Sequence, residues 1–237
     1  MTAPIYDPTV DGPVKTAGQP AVRPRNAATL ILVRRGPKGP ELLMGRRSAR
    51  DNFMPGKWVF PGGRVDRGDF TAPAASELRT EVEAKLKLTA PRRPTLPRAL
   101  ALAAVRETWE EVGLMLARPA PVRPAAGPWR GFIEAGALPD LAALSFVARA
   151  ITPPYRPKRF DARFFMAEAS ALFSQTPAPG SGELDEIAWI PIAETHTFDL
   201  PNVTTFVVKE IEHRLSDPHR PILSLSARYG ARHLARL

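Results

Sequence analysis

The chain of 237 residues contains no cysteine. Disulfides, thiolate zinc sites, iron–sulfur clusters and cysteine nucleophiles are therefore excluded by composition. Long hydrophobic runs are absent too. The longest mainly apolar stretch, Ala27 to Val33, falls far short of the ~20 residues that cross a bilayer. Met1 to Gly12 lacks the apolar centre of a signal peptide. There is no internal repeat, and His196, His213, His219 and His233 show no ligand spacing among themselves. Acidic residues are the minority charge, 24 against 33 basic, a balance of +9. These absences predict a cytoplasmic protein with no membrane partner. The basic surplus predicts an anionic one, and net charge alone does not separate nucleic acid from phosphorylated small molecules.

Proline is what the chain has in excess. Its 27 prolines are about twice the usual share and point to rigid loops and an insertion rather than a long-helix bundle. Hydrophobic residues at 44% and charged residues at 24% allow an ordinary core. Residues 1–26 show no period and read as a flexible arm. From Ala27 the pattern becomes strand-like, and the turn residues of 34–40 predict a hairpin with Glu41 to Gly45. Trp58 to Phe60 is a short strand stopped by Pro61-Gly62-Gly63. Residues 70–98 read as an insertion, helical over 76–88 and then Pro-rich. Leu100 to Leu116 is the strongest helix, which Gly113 can end in a left-handed cap. If it runs on instead, Arg118 suits its end. Strands are predicted at 145–151, 162–166 and 186–190, a last helix at 203–215, and a basic C-terminal tail at 216–237. Together these give a mixed α/β (α+β) domain over 27–215.

The informative segment is Arg106-Glu107-Thr108-Trp109-Glu110-Glu111-Val112-Gly113-Leu114. On a helix, Glu107, Glu110 and Glu111 share one face within roughly 6 Å of axial rise. Leu102, Val105, Trp109 and Val112 form the opposite, apolar face. A solvated helix face is the alternative reading, since like charges at these spacings cost only ~0.2–0.5 kcal/mol per pair and Arg106 offsets Glu110 at i, i+4. Against it, five fixed positions of this kind arise by chance in on the order of one chain in several thousand. Oxygen-only ligands with no helical His pair select Mg²⁺ or Mn²⁺ over zinc. The Gly62-Gly63 turn would let backbone approach a metal or phosphate closely, and is equally readable as an ordinary tight turn.

Gly63 to Asp69 together with Arg106 to Leu114 resembles the signature of the Nudix hydrolases: Gly, five residues, Glu, seven residues, then Arg-Glu-aliphatic-x-Glu-Glu-x-Gly-aliphatic. Asp69 stands in place of the family's Glu, Thr108 in place of the aliphatic residue, and residues 70–105 replace the short spacer. The resemblance implies a mixed sheet between helices and metal-dependent cleavage of a nucleoside-diphosphate derivative. It implies Glu107, Glu110 and Glu111 as metal ligands with a carbonyl of Gly62 or Gly63, and Arg106 orienting the acids. A further glutamate, Glu183 or Glu186, would act as base or ligand. The insertion, the run Phe53 to Gly63 and the run Pro157 to Asp161 resemble the branch that includes coenzyme A and acyl-coenzyme A diphosphatases. That branch implies a 4′-phosphopantetheine and adenosine 3′,5′-bisphosphate as products, with Arg46, Arg47, Lys158 and Arg159 as phosphate contacts. ADP-ribose, nucleotide sugars and dinucleoside polyphosphates are the alternative substrates. A non-catalytic nucleotide- or RNA-binding module is the alternative class, and a homodimer is possible.

Overall fold

The computed structural model describes residues 20, 22–50, 54–174, 182–228 and 231–237. Most of the expected arm at 1–26, and Phe53 of the Phe53–Gly63 run, lie outside them. Strands β1 (Arg25–Gly36) and β2 (Gly39–Arg47) form the expected hairpin, with Gly36 paired to Gly39 across Pro37 and Lys38. Its closing residue Gly39 has φ 115, a conformation open to glycine and strained for other residues.

β1 is the spine of a mixed sheet. It runs parallel to β8 (Phe160–Glu168) and antiparallel to β2, and its first residues also pair with β4 (Gly62–Arg64). β3 (Trp58–Val59) and β9 (Leu184–Pro191) flank β2, while β7 (Ser145–Ile151) joins β8 antiparallel. A short ribbon of β5 (Ala117–Pro119) and β6 (Ala137–Pro139) stands apart. The continuous apolar run of β1 follows from burial on both faces. Leu30 and Leu32 enter one core, and Ile31 and Val33 the other.

Helices cover both faces. On the first lie α1 (Thr80–Thr89) and α2 (Leu96–Val112); α3 (Arg130–Glu134) is a single turn beside them; α4 (Asn202–Ser216) covers the second face with Phe206, Val207 and Ile211. α2 begins four residues before the expected start because Pro97 occupies its first turn, where a missing N–H breaks nothing. It ends at Gly113, φ 71, whose N–H closes on the Trp109 carbonyl. Arg118 therefore caps no helix and pairs instead with Asp140 at 2.7 Å. In the 70–98 segment the helix starts later than expected, at Thr80. Ser76 is drawn away, hydrogen-bonded to Asp140 and to the Ala142 N–H.

One expectation is corrected outright. The basic tail at 216–237 forms β10 (Leu223–Arg228), parallel to β7, and β11 (Ala231–Arg236), antiparallel to β10. Ile222 and Leu225 are buried there. Burial of Ile222 in one core and Leu225 in the other outweighs the arginines that made the segment look solvated.

Candidate active site

The site is built where β4 passes under α2. A methyl group at Gly63 would collide with the Glu107 carboxylate, and one at Gly62 with Thr29 and the Ala28 carbonyl. The two glycines are needed for close approach. In return, the Gly62 N–H donates to Glu111 Oε2 at 3.1 Å.

Arg106 is the hub, 4% exposed. It donates through Nε and Nη2 to Asp69 at 2.9 and 3.1 Å, through Nη1 to Glu110 at 2.8 Å, and through Nη2 to the Arg64 carbonyl at 3.0 Å. Glu107 lies 2.9 Å from its Nη1. Asp69, wholly buried, also accepts from the Asp66 N–H and from Trp129 Nε1. It closes a capping box on the 3₁₀ turn Arg67–Phe70. Helix, turn and the loop carrying Trp129 are thereby fixed to one carboxylate.

The three glutamates share the α2 face but do not gather as a trio. Glu107 and Glu111 line a cavity, whereas half-exposed Glu110 is turned onto Arg106. Among the described residues no group of three or more acidic or histidine side chains is collected for a metal. The cause is local: the i, i+4 guanidinium attracts Glu110 more than its like-charged neighbours do.

Burial is the main reason that the two cavity carboxylates hold protons above the usual range. It pushes Glu107 up to about 7 against the opposing charge of Arg106, with Glu110 adding to the rise. Burial and then the charge of Glu107 push Glu111 up to about 8; the Gly62 N–H opposes this, as does Arg47 more weakly, while Glu183 adds to it. Glu110 is also raised by burial, against Arg106. For Arg106 burial works downward, but its bond to Asp69 and the charges of Glu107, Asp69 and Glu110 hold it above its ordinary value. Two buried, mutually repelling, oxygen-only acids beside a glycine bend form a donor set that a hard dication fits.

The cavity has a volume of about 960 Å³. Of the phosphate contacts expected from sequence, Arg47 and Lys158 line it. Arg46 does not, pairing with Glu186 at 3.3 Å, and Arg159 is spent on the Thr152 and Val22 carbonyls. Of the two loop acids, Glu183 lines the cavity within 4.0 Å of Arg47; Glu186 does not, because it faces Arg46 across the β2–β9 pairing. Phe160 and Phe164 line it, while Phe165 is core. Sequence reasoning missed Arg50, Arg156, Lys209 and Phe206. Nothing in their local pattern marks them, since three elements distant in the chain bring them together.

Comparison with solved structures decides the fold family. A Nudix hydrolase from Alicyclobacillus acidocaldarius superimposes with a TM-score of 0.58 at 29% identity, covering 79% of this chain and 90% of that one. The chain has the Nudix hydrolase fold. The Nudix domain of Shewanella oneidensis NrtR, solved in complex with ADP ribose, agrees at the level of fold, with a TM-score of 0.50 and 12% identity over 89% of this chain and 94% of that domain. The acyl-coenzyme A diphosphatase NUDT19 of Gallus gallus is 30% identical over a match that covers 69% of this chain. The chain spans 59% of that protein's length. No family model matches.

The three departures of this Nudix-fold chain from the motif have physical explanations. The shorter acid Asp69 reaches Arg106 directly and takes an indole donor as well. Thr108, buried at the aliphatic position, satisfies its hydroxyl on the Ala104 carbonyl at 2.8 Å. The long spacer leaves the motif intact because Asp69 and Arg106 meet in space, with α1 packed outside them through Val82 and Leu86.

Proposed function

We propose that this chain hydrolyses a diphosphate linkage in a nucleoside-diphosphate derivative, with coenzyme A or acyl-coenzyme A as substrate. The products would be (acyl-)4′-phosphopantetheine and adenosine 3′,5′-bisphosphate. The observation that carries the reading is the pairing of half-buried Glu107 and buried Glu111 against the Gly62-Gly63 bend, at the wall of a large cavity rich in cations and aromatic rings. A protein that merely binds anions gains nothing from two carboxylates facing its ligand. The relative named acyl-coenzyme A diphosphatase supports the choice of substrate.

Glu107 and Glu111 would hold Mg²⁺ or Mn²⁺, the ions Nudix hydrolases use, with Glu110 in the same ligand set by its place in the motif and Gly62 or Gly63 offering a backbone oxygen. Such an ion, when bound, stabilises charge on the phosphoryl oxygens and lowers the pKa of a bound water. Arg106 holds the glutamate row in place and ties it to β4. Arg47 offers a guanidinium to the substrate's phosphates beside Glu111. Glu183, exposed at the cavity edge, would take the proton from water, a reading supported by its lining the cavity where Glu186 does not. The aromatic and apolar wall excludes water around the reacting diphosphate.

The test is a hydrolysis panel of coenzyme A, acetyl-coenzyme A, ADP-ribose, a nucleotide sugar, a dinucleoside polyphosphate and capped RNA, with Mg²⁺, Mn²⁺ or chelator, and products identified by mass. The expected result is metal-dependent release of adenosine 3′,5′-bisphosphate from the coenzyme A compounds at the highest kcat/KM. Preference for another diphosphate overturns the substrate assignment. Absence of metal-dependent release from every compound overturns the reaction.

A further inference from the structure

The cavity carries cations in two places. Arg47 and Arg50, at and just beyond the end of β2, and Arg64 of β4 belong to the side occupied by Glu107, Glu111 and Glu183. Arg156 and Lys158 come from the turn between β7 and β8, and Lys209 from α4, which packs on β7. In the sheet β1 and β8 lie between β4 and β7. The β7–β8 turn therefore lies two to three strand spacings from β4, about 10–14 Å between backbones, so the two groups face different parts of an extended ligand. Between them the wall includes half-buried Phe160 of β8, a ring of the kind that takes a nucleobase, and Phe164, which packs in the second core.

Arg156 is the unusual member of the second group. It lines the cavity and yet is only 3% exposed, in a turn closed by its own N–H on the Pro153 carbonyl. A guanidinium stays charged when removed from bulk water, and its fork of donors matches a phosphate. Lys158 and Lys209, both exposed, add two ammonium groups. The first turn of α4, with no side-chain cap, adds its positive end through Asn202 and Thr204 on the same wall. This concentration of positive charge exceeds what an uncharged ribose or base requires.

We infer that Arg156, Lys158 and Lys209 form a second anion subsite, which takes a phosphate monoester on the nucleoside half of the substrate, apart from the diphosphate that is cleaved. The subsite deepens the diphosphohydrolase reading and rests on it for the identity of the bound molecule. It makes the nucleoside phosphate a specificity handle: substrates that carry it bind better, and their cleavage chemistry is the same.

The experiment is calorimetric binding of adenosine 3′,5′-bisphosphate and of adenosine 5′-monophosphate to the full chain in chelator, so that neither metal nor turnover enters. The bisphosphate is expected to bind roughly 10-fold tighter or more, the scale of a charge-assisted contact. Arg156→Gln narrows that ratio to less than about 2-fold, and Arg156→Lys recovers part of it. Because Arg156 is buried, the exposed pair Lys158→Gln/Lys209→Gln is a second probe that does not depend on the folding of the first, and it lowers the ratio several-fold. Equal affinities in the wild type, or a ratio that survives in both variants, overturn the subsite. Steady-state kinetics on coenzyme A and dephospho-coenzyme A separate the two claims. Cleavage of both at equal KM sinks the subsite and leaves the reaction standing, while cleavage of neither, with the binding ratio intact, sinks the reaction and leaves the subsite.

Discussion

Glu111 is buried, faces Glu107 and holds its proton up to about pH 8, so its ionised form is unfavourable in the folded protein unless a cation offsets it. A carboxyl raised in the folded state contributes stability that is complete below its unfolded value near 4.5 and is lost as pH rises through about 8. Glu111→Gln keeps an acceptor for the Gly62 N–H and removes the charge. In chelator above pH 8 the variant is expected to melt higher than the wild type, with the two converging below pH 5. Mg²⁺ or Mn²⁺ should raise the wild-type Tm and leave that of the variant unmoved. A variant that melts lower than wild type at pH 8.5 contradicts the assignment. The same substitution, and Glu107→Gln, should lower kcat by at least ~10²-fold, the scale of losing a metal or electrostatic contact. Asp69 is a different case, because it does not line the cavity and is bonded to Arg106. Asp69→Asn removes the wholly buried one of Arg106's carboxylate partners and leaves Glu107 and Glu110, and chemical denaturation should show a loss of about 1.5–3 kcal/mol, the scale of hydrogen bonds to a charged group.

At the scale of the element, α2 serves two cores of contact at once. Its Leu100 and Val105 pack under the sheet, and its other side carries the acids. The helix therefore cannot rotate without both exposing apolar surface and lifting Glu107 from Gly63. The 70–98 segment braces it from outside. Arg98 grips Glu77 at 2.8 and 2.9 Å and also bonds the Ala72 carbonyl, and Leu86 is fully buried. Removing that packing with Leu86→Ala should cost about 2–5 kcal/mol. Since no residue of α1 reaches the cavity, kcat at a temperature where the variant is folded should stay within about 2-fold of wild type. A drop in kcat comparable to that of Glu107→Gln would instead assign the insertion to the site.

Across the whole molecule, the C-terminal strands close the sheet and also finish the cavity, whose wall includes Leu225 and Ser226 of β10. Stability and substrate binding are therefore linked through a segment whose charge suggests neither. Ile222→Ala, which opens a hole at the start of β10, should lower stability by about 2–4 kcal/mol as read by denaturant unfolding. The same change should raise KM more than it lowers kcat, because β10 borders the cavity far from the acidic pair. The sheet order sets that distance: β10 is reached from β4 only through β1, β8 and β7.

What the sequence determined by itself was local. The hairpin around Pro37, the acidic row on α2 and the glycine bend follow from turn chemistry and helical spacing, which act over a few residues and are readable without neighbours. Only the tertiary structure decided that Glu107 and Glu111 enter the cavity while Glu110 turns to Arg106, or that Asp69 meets an indole 60 positions away. It likewise set Arg47, Arg156 and Lys209 around one space, spent Arg46 and Arg159 elsewhere, and drew Leu223–Arg228 and Ala231–Arg236 into the sheet. Periodicity names the face of an element, but what that face meets depends on how strands distant in the chain are ordered, and that ordering is fixed by the summed burial of the whole core.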